Sequence, residues 1–139
     1  MDICKLDKQK IALIVGYMLL ILMTSVIPMD REIKGLNFII GIKPLIQNSL
    51  HIPVYAILAV LWLQLLSNHG LAGIKRFWIV FLFSAGFGIM NEFIQLTIPG
   101  RYPSLIDMLF NTIGFAAGIW LYLYLEKCEP GLIRRIICE

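Results

Sequence analysis

Four apolar segments, each near the length of a bilayer crossing and separated by polar turns, leave this chain one class of fold. They run at about Ile11–Pro28, Leu50–Ser67, Phe77–Ile98 and Leu105–Leu125. Lipid offers no hydrogen bonds to an exposed backbone, so an open chain crosses only as helices. Each crossing takes roughly 20 residues, which limits a chain of this size to about four or five. With 59% hydrophobic and 15% charged residues and a mean hydropathy of +0.82, the chain lacks the polar surface that a water-soluble domain needs. The expected architecture is all-α: one domain over residues 1–139, folded as a four-helix transmembrane bundle with no soluble catalytic domain beside it.

The connections refine this picture. Pro99-Gly100-Arg101-Tyr102-Pro103-Ser104 is a tight, proline-punctuated hairpin, so the third and fourth helices are expected to be antiparallel neighbours and the rigid core of the bundle. The first loop, Met29 to Ser49, begins polar and turns apolar at Phe38-Ile39-Ile40-Gly41-Ile42. That stretch is too short to span, which makes the loop re-entrant or interfacial. Gly131 to Ile137 reads as an amphipathic tail on the membrane surface. The first segment follows Lys5, Lys8 and Lys10 but ends in Thr24-Ser25-Val26, a poor cleavage site, and is expected to stay as a helix. Eight basic residues (Lys5, Lys8, Lys10, Lys75, Arg76, Lys127, Arg134, Arg135) fall on one side and four (Arg31, Lys34, Lys43, Arg101) on the other. The positive-inside rule then puts both termini in the cytoplasm and the Pro-Gly-Arg hairpin outside. The net charge of +3 is membrane anchoring in this setting, and no nucleic-acid partner is expected.

The unusual polar residues gather at the outer end. Ser25 and Pro28 close the first segment, His51 and Tyr55 open the second, Glu92 and Gln95 end the third, and Asp107 and Asn111 begin the fourth. His51/Tyr55 and Asp107/Asn111 are four apart and Glu92/Gln95 three apart, spacings that share a helix face. At 1.5 Å per residue, Glu92 lies roughly 9 Å and Asn111 roughly 10 Å below the hairpin, at matching depth. A carboxylate buried in lipid costs about 2.5–3.5 kcal/mol on insertion scales, so Glu92 and Asp107 must be paired, protonated or hydrated. Gly114 and Gly118 form a GxxxG pair that permits close helix packing, and Gly86 and Gly88 suggest the same for the third helix. Trp120, Tyr122 and Tyr124 read as an interfacial aromatic belt.

The string Asn91-Glu92-x-x-Gln95, Pro99-Gly100-Arg101, Ser104-x-x-Asp107-x-x-x-Asn111-x-x-Gly114 resembles the VanZ-like family. His51-x-x-x-Tyr55 and Ser25-x-x-Pro28 resemble the family's motifs at the start of the second helix and the end of the first. Where the family pattern has an Asp-Lys pair shortly before the histidine, this chain has Asn48-Ser49-Leu50, with Lys43 further back. The resemblance implies a small multi-pass protein of the bacterial inner (cytoplasmic) membrane. It also implies a role in the cell envelope, since the family's named member is associated with resistance to the glycopeptide teicoplanin.

Two functional readings follow. In the first, the outer polar cluster recognises or modifies an anionic envelope lipid or lipid-linked cell-wall precursor. The Arg101 guanidinium fork suits phosphate or carboxylate. Glu92, Asp107 and His51 are the candidate acid and base, and Gln95, Asn111, Tyr55 and Ser104 orient the ligand. In the second, the same network only holds helices together, and the bundle is a scaffold or partner subunit for envelope proteins. Neither reading involves a metal or cofactor. There is no HExxH-like spacing, no CxxC among Cys4, Cys128 and Cys138, no nucleophile elbow or S-x-x-K serine, and no Walker loop.

Overall fold

The computed structural model describes residues 3–27, 48–69, 71, 73–99 and 104–128. Among the described residues, four helices form a bundle: α1 (Ile3–Ser25), α2 (His51–Asn68), α3 (Gly73–Gln95) and α4 (Leu105–Cys128). The expected re-entrant or interfacial first loop, the amphipathic tail and Arg101 lie outside the described residues.

Local chemistry sets the helix ends. α1 begins before its apolar segment, carried across that boundary by Lys8, Gln9 and Lys10, straight-chain residues that lose little rotamer freedom in a helix. Pro53 sits in the first turn of α2, where its missing N–H would have had no intrahelical partner. Gly73, at φ +63°, opens α3 in a backbone conformation that side chains other than glycine resist. α3 stops at Gln95 and tightens: Thr97 and Ile98 donate N–H bonds to Ile94 and Gln95, at 3.0 Å each, and the Thr97 hydroxyl adds a 2.7 Å bond to Ile94. Ser104 caps α4, its Oγ accepting the Ile106 N–H at 3.1 Å.

Among the described residues, three helical stretches, Lys8–Ser25, Gly73–Gln95 and Leu105–Cys128, are long and apolar enough to cross a membrane. α2 is shorter. Its apolar stretch His51–Ser67 extends about 26 Å, against a hydrocarbon thickness of about 30 Å. It is also the central helix, packed against the other three. Tyr55, Leu58 and Ala59 on α2 are wholly buried. α1 is peripheral: Leu13, Leu19, Leu20 and Met23 are exposed on its outer side, and the Tyr17 hydroxyl ties it to the Val54 carbonyl of α2 at 3.0 Å.

The tightest pair is α2 with α4, not α3 with α4 as the short hairpin suggested. The two run parallel, Gly114 against Ile52 and Gly118 against Ala56. A Cβ on Gly114 would stand 2.5 Å from the Ile52 carbonyl oxygen, and one on Gly118 would run into the Ala56 backbone. The GxxxG pair therefore sets a backbone-to-backbone contact. α3 and α4 remain neighbours, but sequence adjacency brings helices together only loosely, whereas two glycines let backbones touch. On α3 only one of the two expected glycines packs in this way. Gly88 faces Asn111 and Tyr55, while a Cβ on Gly86 would meet nothing within 4 Å.

The aromatic belt also divides. Trp120 and Tyr124 are exposed and stacked, ring centroids 5.5 Å apart. Tyr122, offset by two residues and so on the other side of the helix, is buried. The Arg76 guanidinium lies 5.3 Å from the centre of its ring. Arg76, counted in the sequence only as an orientation marker, is itself buried and forms a two-pronged ion pair with Glu126: Nη1 to Oε1 at 3.2 Å and Nη2 to Oε2 at 2.7 Å. This pair clamps the end of the bundle opposite the hairpin.

Ser84, in the middle of α3, is wholly buried, and its Oγ has no hydrogen-bond partner among the described residues. By contrast, Thr24 and Thr112 satisfy their hydroxyls at 2.8 Å on carbonyls of their own helices. An unpartnered buried hydroxyl costs about 1–3 kcal/mol. Ser84→Ala is therefore expected to raise the thermal midpoint of the detergent-solubilised protein or leave it unchanged. A clear drop would show that the hydroxyl is bonded in the folded protein.

Candidate functional site

The hairpin end gathers polar side chains from all four helices. Ser25 ends α1, Tyr55 lies in the second turn of α2, Asn91, Glu92 and Gln95 occupy the last turns of α3, and Asp107 and Asn111 begin α4; all are buried. His51, the first residue of α2, is half-buried. Of the residues singled out from the sequence, these come together, and Ser104 joins them as the α4 cap.

Two contacts knit the cluster across helices. The His51 ring, through Nδ1, lies 2.9 Å from Asn111 Oδ1, which joins the starts of α2 and α4. The Ser104 backbone N–H donates to Glu92 Oε2 at 3.4 Å, which joins the end of α3 to the start of α4. The second contact gives Glu92 a physical setting. A helix N-terminus carries unpaired N–H groups and a partial positive charge that favours nearby anions. Asp107 sits in the first turn of the same helix. One helix end thus accommodates both buried carboxylates.

The register differs from the equal depths expected for Glu92 and Asn111. Glu92 meets the first residue before α4, whereas Asn111 packs one turn deeper, its Nδ2 3.4 Å from where a Gly88 Cβ would be. The cause is Gly88, whose missing side chain leaves the space that Asn111 fills.

Aromatic packing supports the floor of the cluster. The Tyr55 ring stacks on His51 (6.1 Å, 16°), meets Phe115 edge-on (4.9 Å, 84°) and lies tilted against Phe87 (6.3 Å, 45°). Asn91 lies beside the Tyr55 hydroxyl. Asn91 was visible in the sequence only as part of the Asn91-Glu92-x-x-Gln95 string. Its spacing of four from Gln95 was the signal that it shares the buried face. Ser84, two turns further in, carried no such signal, because a lone serine in an apolar helix reads as neutral.

Chemically, the described site offers two carboxylates, one imidazole and three side-chain amides. The Gln95 Nε2 and Asn111 Nδ2 donors are buried with no hydrogen-bond partner among the described residues. Among those residues no group of three or more His, Cys, Asp or Glu is placed to hold a metal ion. An apolar groove of about 230 Å³ lined by Leu63, Ile74, Phe77, Ile119 and Leu123 lies toward the opposite end, away from these groups.

No curated protein and no solved structure matches the chain. The sequence profile of the VanZ/LLP1 family matches residues 5–126, from the start of α1 to the end of α4, and takes in the whole hairpin-end cluster. With most of its length matched and three helices able to cross a membrane, this chain is a membrane protein of the VanZ/LLP1 family.

Proposed function

We propose that the protein is a multi-pass component of the bacterial inner membrane that recognises or modifies an anionic envelope lipid or lipid-linked cell-wall precursor at the outer leaflet, with an effect on glycopeptide (teicoplanin) susceptibility. The observation that carries this reading is the convergence of buried polar side chains from four helices at one end of the bundle, tied across helices by His51–Asn111 and Glu92–Ser104. Polar groups at membrane depth are costly, and a cluster of them is a functional hypothesis by default. The lysine and arginine distribution favours an outward hairpin. In this reading Arg101 holds the ligand's anionic group, Glu92 and Asp107 with His51 form the acid–base floor, and the amides of Gln95 and Asn111, with Tyr55 and Ser104, orient the headgroup.

One contact favours a second reading. The Glu92 bond to the Ser104 N–H is the kind a purely structural cap makes. The cluster would then hold the bundle for use as a scaffold among envelope proteins. Glu92→Gln separates the two, because glutamine keeps an acceptor oxygen for Ser104 and loses the charge. The enzymatic or ligand-binding reading expects loss of function with a thermal midpoint close to that of wild type. The scaffold reading expects stability and phenotype to fall together, or neither to change. The test is a mass-spectrometric profile of lipids and wall precursors in cells lacking the protein, complemented by wild type, Arg101→Ala or Glu92→Gln, each confirmed in the membrane. Accumulation of one anionic species that only wild type clears supports the proposal; an unchanged profile rejects it.

A further inference from the structure

We infer that Asn111 is a positioning residue that holds His51 as the Nδ1–H tautomer, so that the Nε2 lone pair is the proton acceptor the site presents to a hydroxyl-bearing headgroup. The inference deepens the lipid-headgroup reading and rests on it for the identity of the ligand, but not for the state of the imidazole.

The argument begins with the 2.9 Å contact between His51 Nδ1 and Asn111 Oδ1. Asn111 presents its amide oxygen to the ring, and an amide oxygen only accepts, so in this arrangement the facing ring nitrogen carries the hydrogen. In a neutral imidazole the other nitrogen is then the acceptor. Asn111 is well placed to impose this choice. It is buried, it stands on the α4 face that packs against α2, and its amide fills the gap left by Gly88. The ring is held a second time by its stack on Tyr55, at 16° between planes. Tyr55 is itself wholly buried against Phe115 and Phe87.

Position separates His51 from the other candidate bases. Glu92 and Asp107 are buried at the N-terminus of α4, and Glu92 Oε2 already accepts a backbone N–H. His51 is half-buried at the first residue of α2, at the rim of the cluster. A headgroup hydroxyl arriving there would donate its proton to Nε2. The resulting imidazolium would keep its Nδ1–H on Asn111 Oδ1, and the ligand oxygen would be left as the nucleophile or hydrogen-bonded anion.

The experiment reads the tautomer directly, with no ligand present, so its failure is distinct from a failed lipid profile. Protein labelled with 15N-histidine is placed in lipid nanodiscs at a pH where the imidazole is neutral, and the His51 signals are identified by their loss in His51→Gln. Wild type and Asn111→Asp, which keeps the acceptor oxygen, are expected to show Nε2 as the unprotonated nitrogen. Asn111→Leu, of similar size but without an acceptor, is expected to lose that pattern. A wild type with the hydrogen on Nε2 overturns the inference whether or not the variants fold. An Asn111→Leu protein that melts as wild type does and keeps the Nδ1–H form overturns it as well.

Discussion

Gly118→Ala is expected to destabilise the bundle by about 1–3 kcal/mol, the usual cost of forcing extra volume into a closed contact. The added Cβ would enter the Ala56 backbone, which, unlike the end of a flexible side chain, cannot move aside alone. α2 and α4 must part along their length, and Gly114→Ala, facing Ile52 and the Tyr55 Cβ, should act in the same sense. The consequence reaches the polar cluster, because Asn111 lies one turn from Gly114 on the same interface and bonds to His51 on α2. Gly86→Ala is the control. Its Cβ meets nothing within 4 Å, and glycine within a helix costs about 0.5–1 kcal/mol relative to alanine, so this variant should be neutral or slightly stabilised. Thermal unfolding of the three purified variants decides the matter; a Gly118→Ala protein as stable as wild type would mean that the two helices are not in backbone contact.

The second large effect is expected at the other end of the molecule and should be asymmetric. Glu126→Leu leaves the Arg76 guanidinium, only 6% exposed, without its counter-charge, whereas Arg76→Leu leaves a Glu126 carboxylate that is 38% exposed and can turn to water. Removing one partner of a fully buried pair costs about 3–5 kcal/mol. Solvent access at Glu126 screens this pair, so about 1–3 kcal/mol is expected for Glu126→Leu and less for Arg76→Leu. The double variant should recover much of the loss, since a matched apolar pair leaves no charge behind. Arg76→Lys should not rescue, because an ammonium can neither reproduce the two-pronged contact nor lie flat over Tyr122. A double-mutant cycle on thermal stability measures the coupling; equal losses for the two single variants would contradict the burial asymmetry.

The GxxxG spacing announces that α4 can pack closely, but no local pattern names the partner in either prediction. Arg76 and Glu126 are 50 residues apart, and His51 and Asn111 are 60 apart. Spacing along one helix showed that His51 and Tyr55, or Asp107 and Asn111, share a face. It did not show which helix that face would meet. Glu92 was legible as a buried carboxylate from its place among apolar residues, but its partner, the Ser104 N–H, is a backbone group that no side-chain pattern reveals. Tyr122 reads with Trp120 and Tyr124 as one aromatic belt, yet it lies four residues beyond Gly118 on the stripe that faces the bundle, and only the structure shows Arg76 over its ring.

That the chain forms apolar helices, and that its costly polar residues collect at one end, can be read along the chain alone. Both follow from rules that act along the chain: hydropathy, helical period, and the absence of hydrogen-bond partners in lipid. That α2 and α4 are the close pair, that Asn111 meets His51 and that Arg76 is a buried clamp emerges only in the packed bundle. Those outcomes depend on surfaces far apart in the chain fitting one another. A glycine has no side chain with which to signal its partner, and its effect appears only once another backbone lies against it.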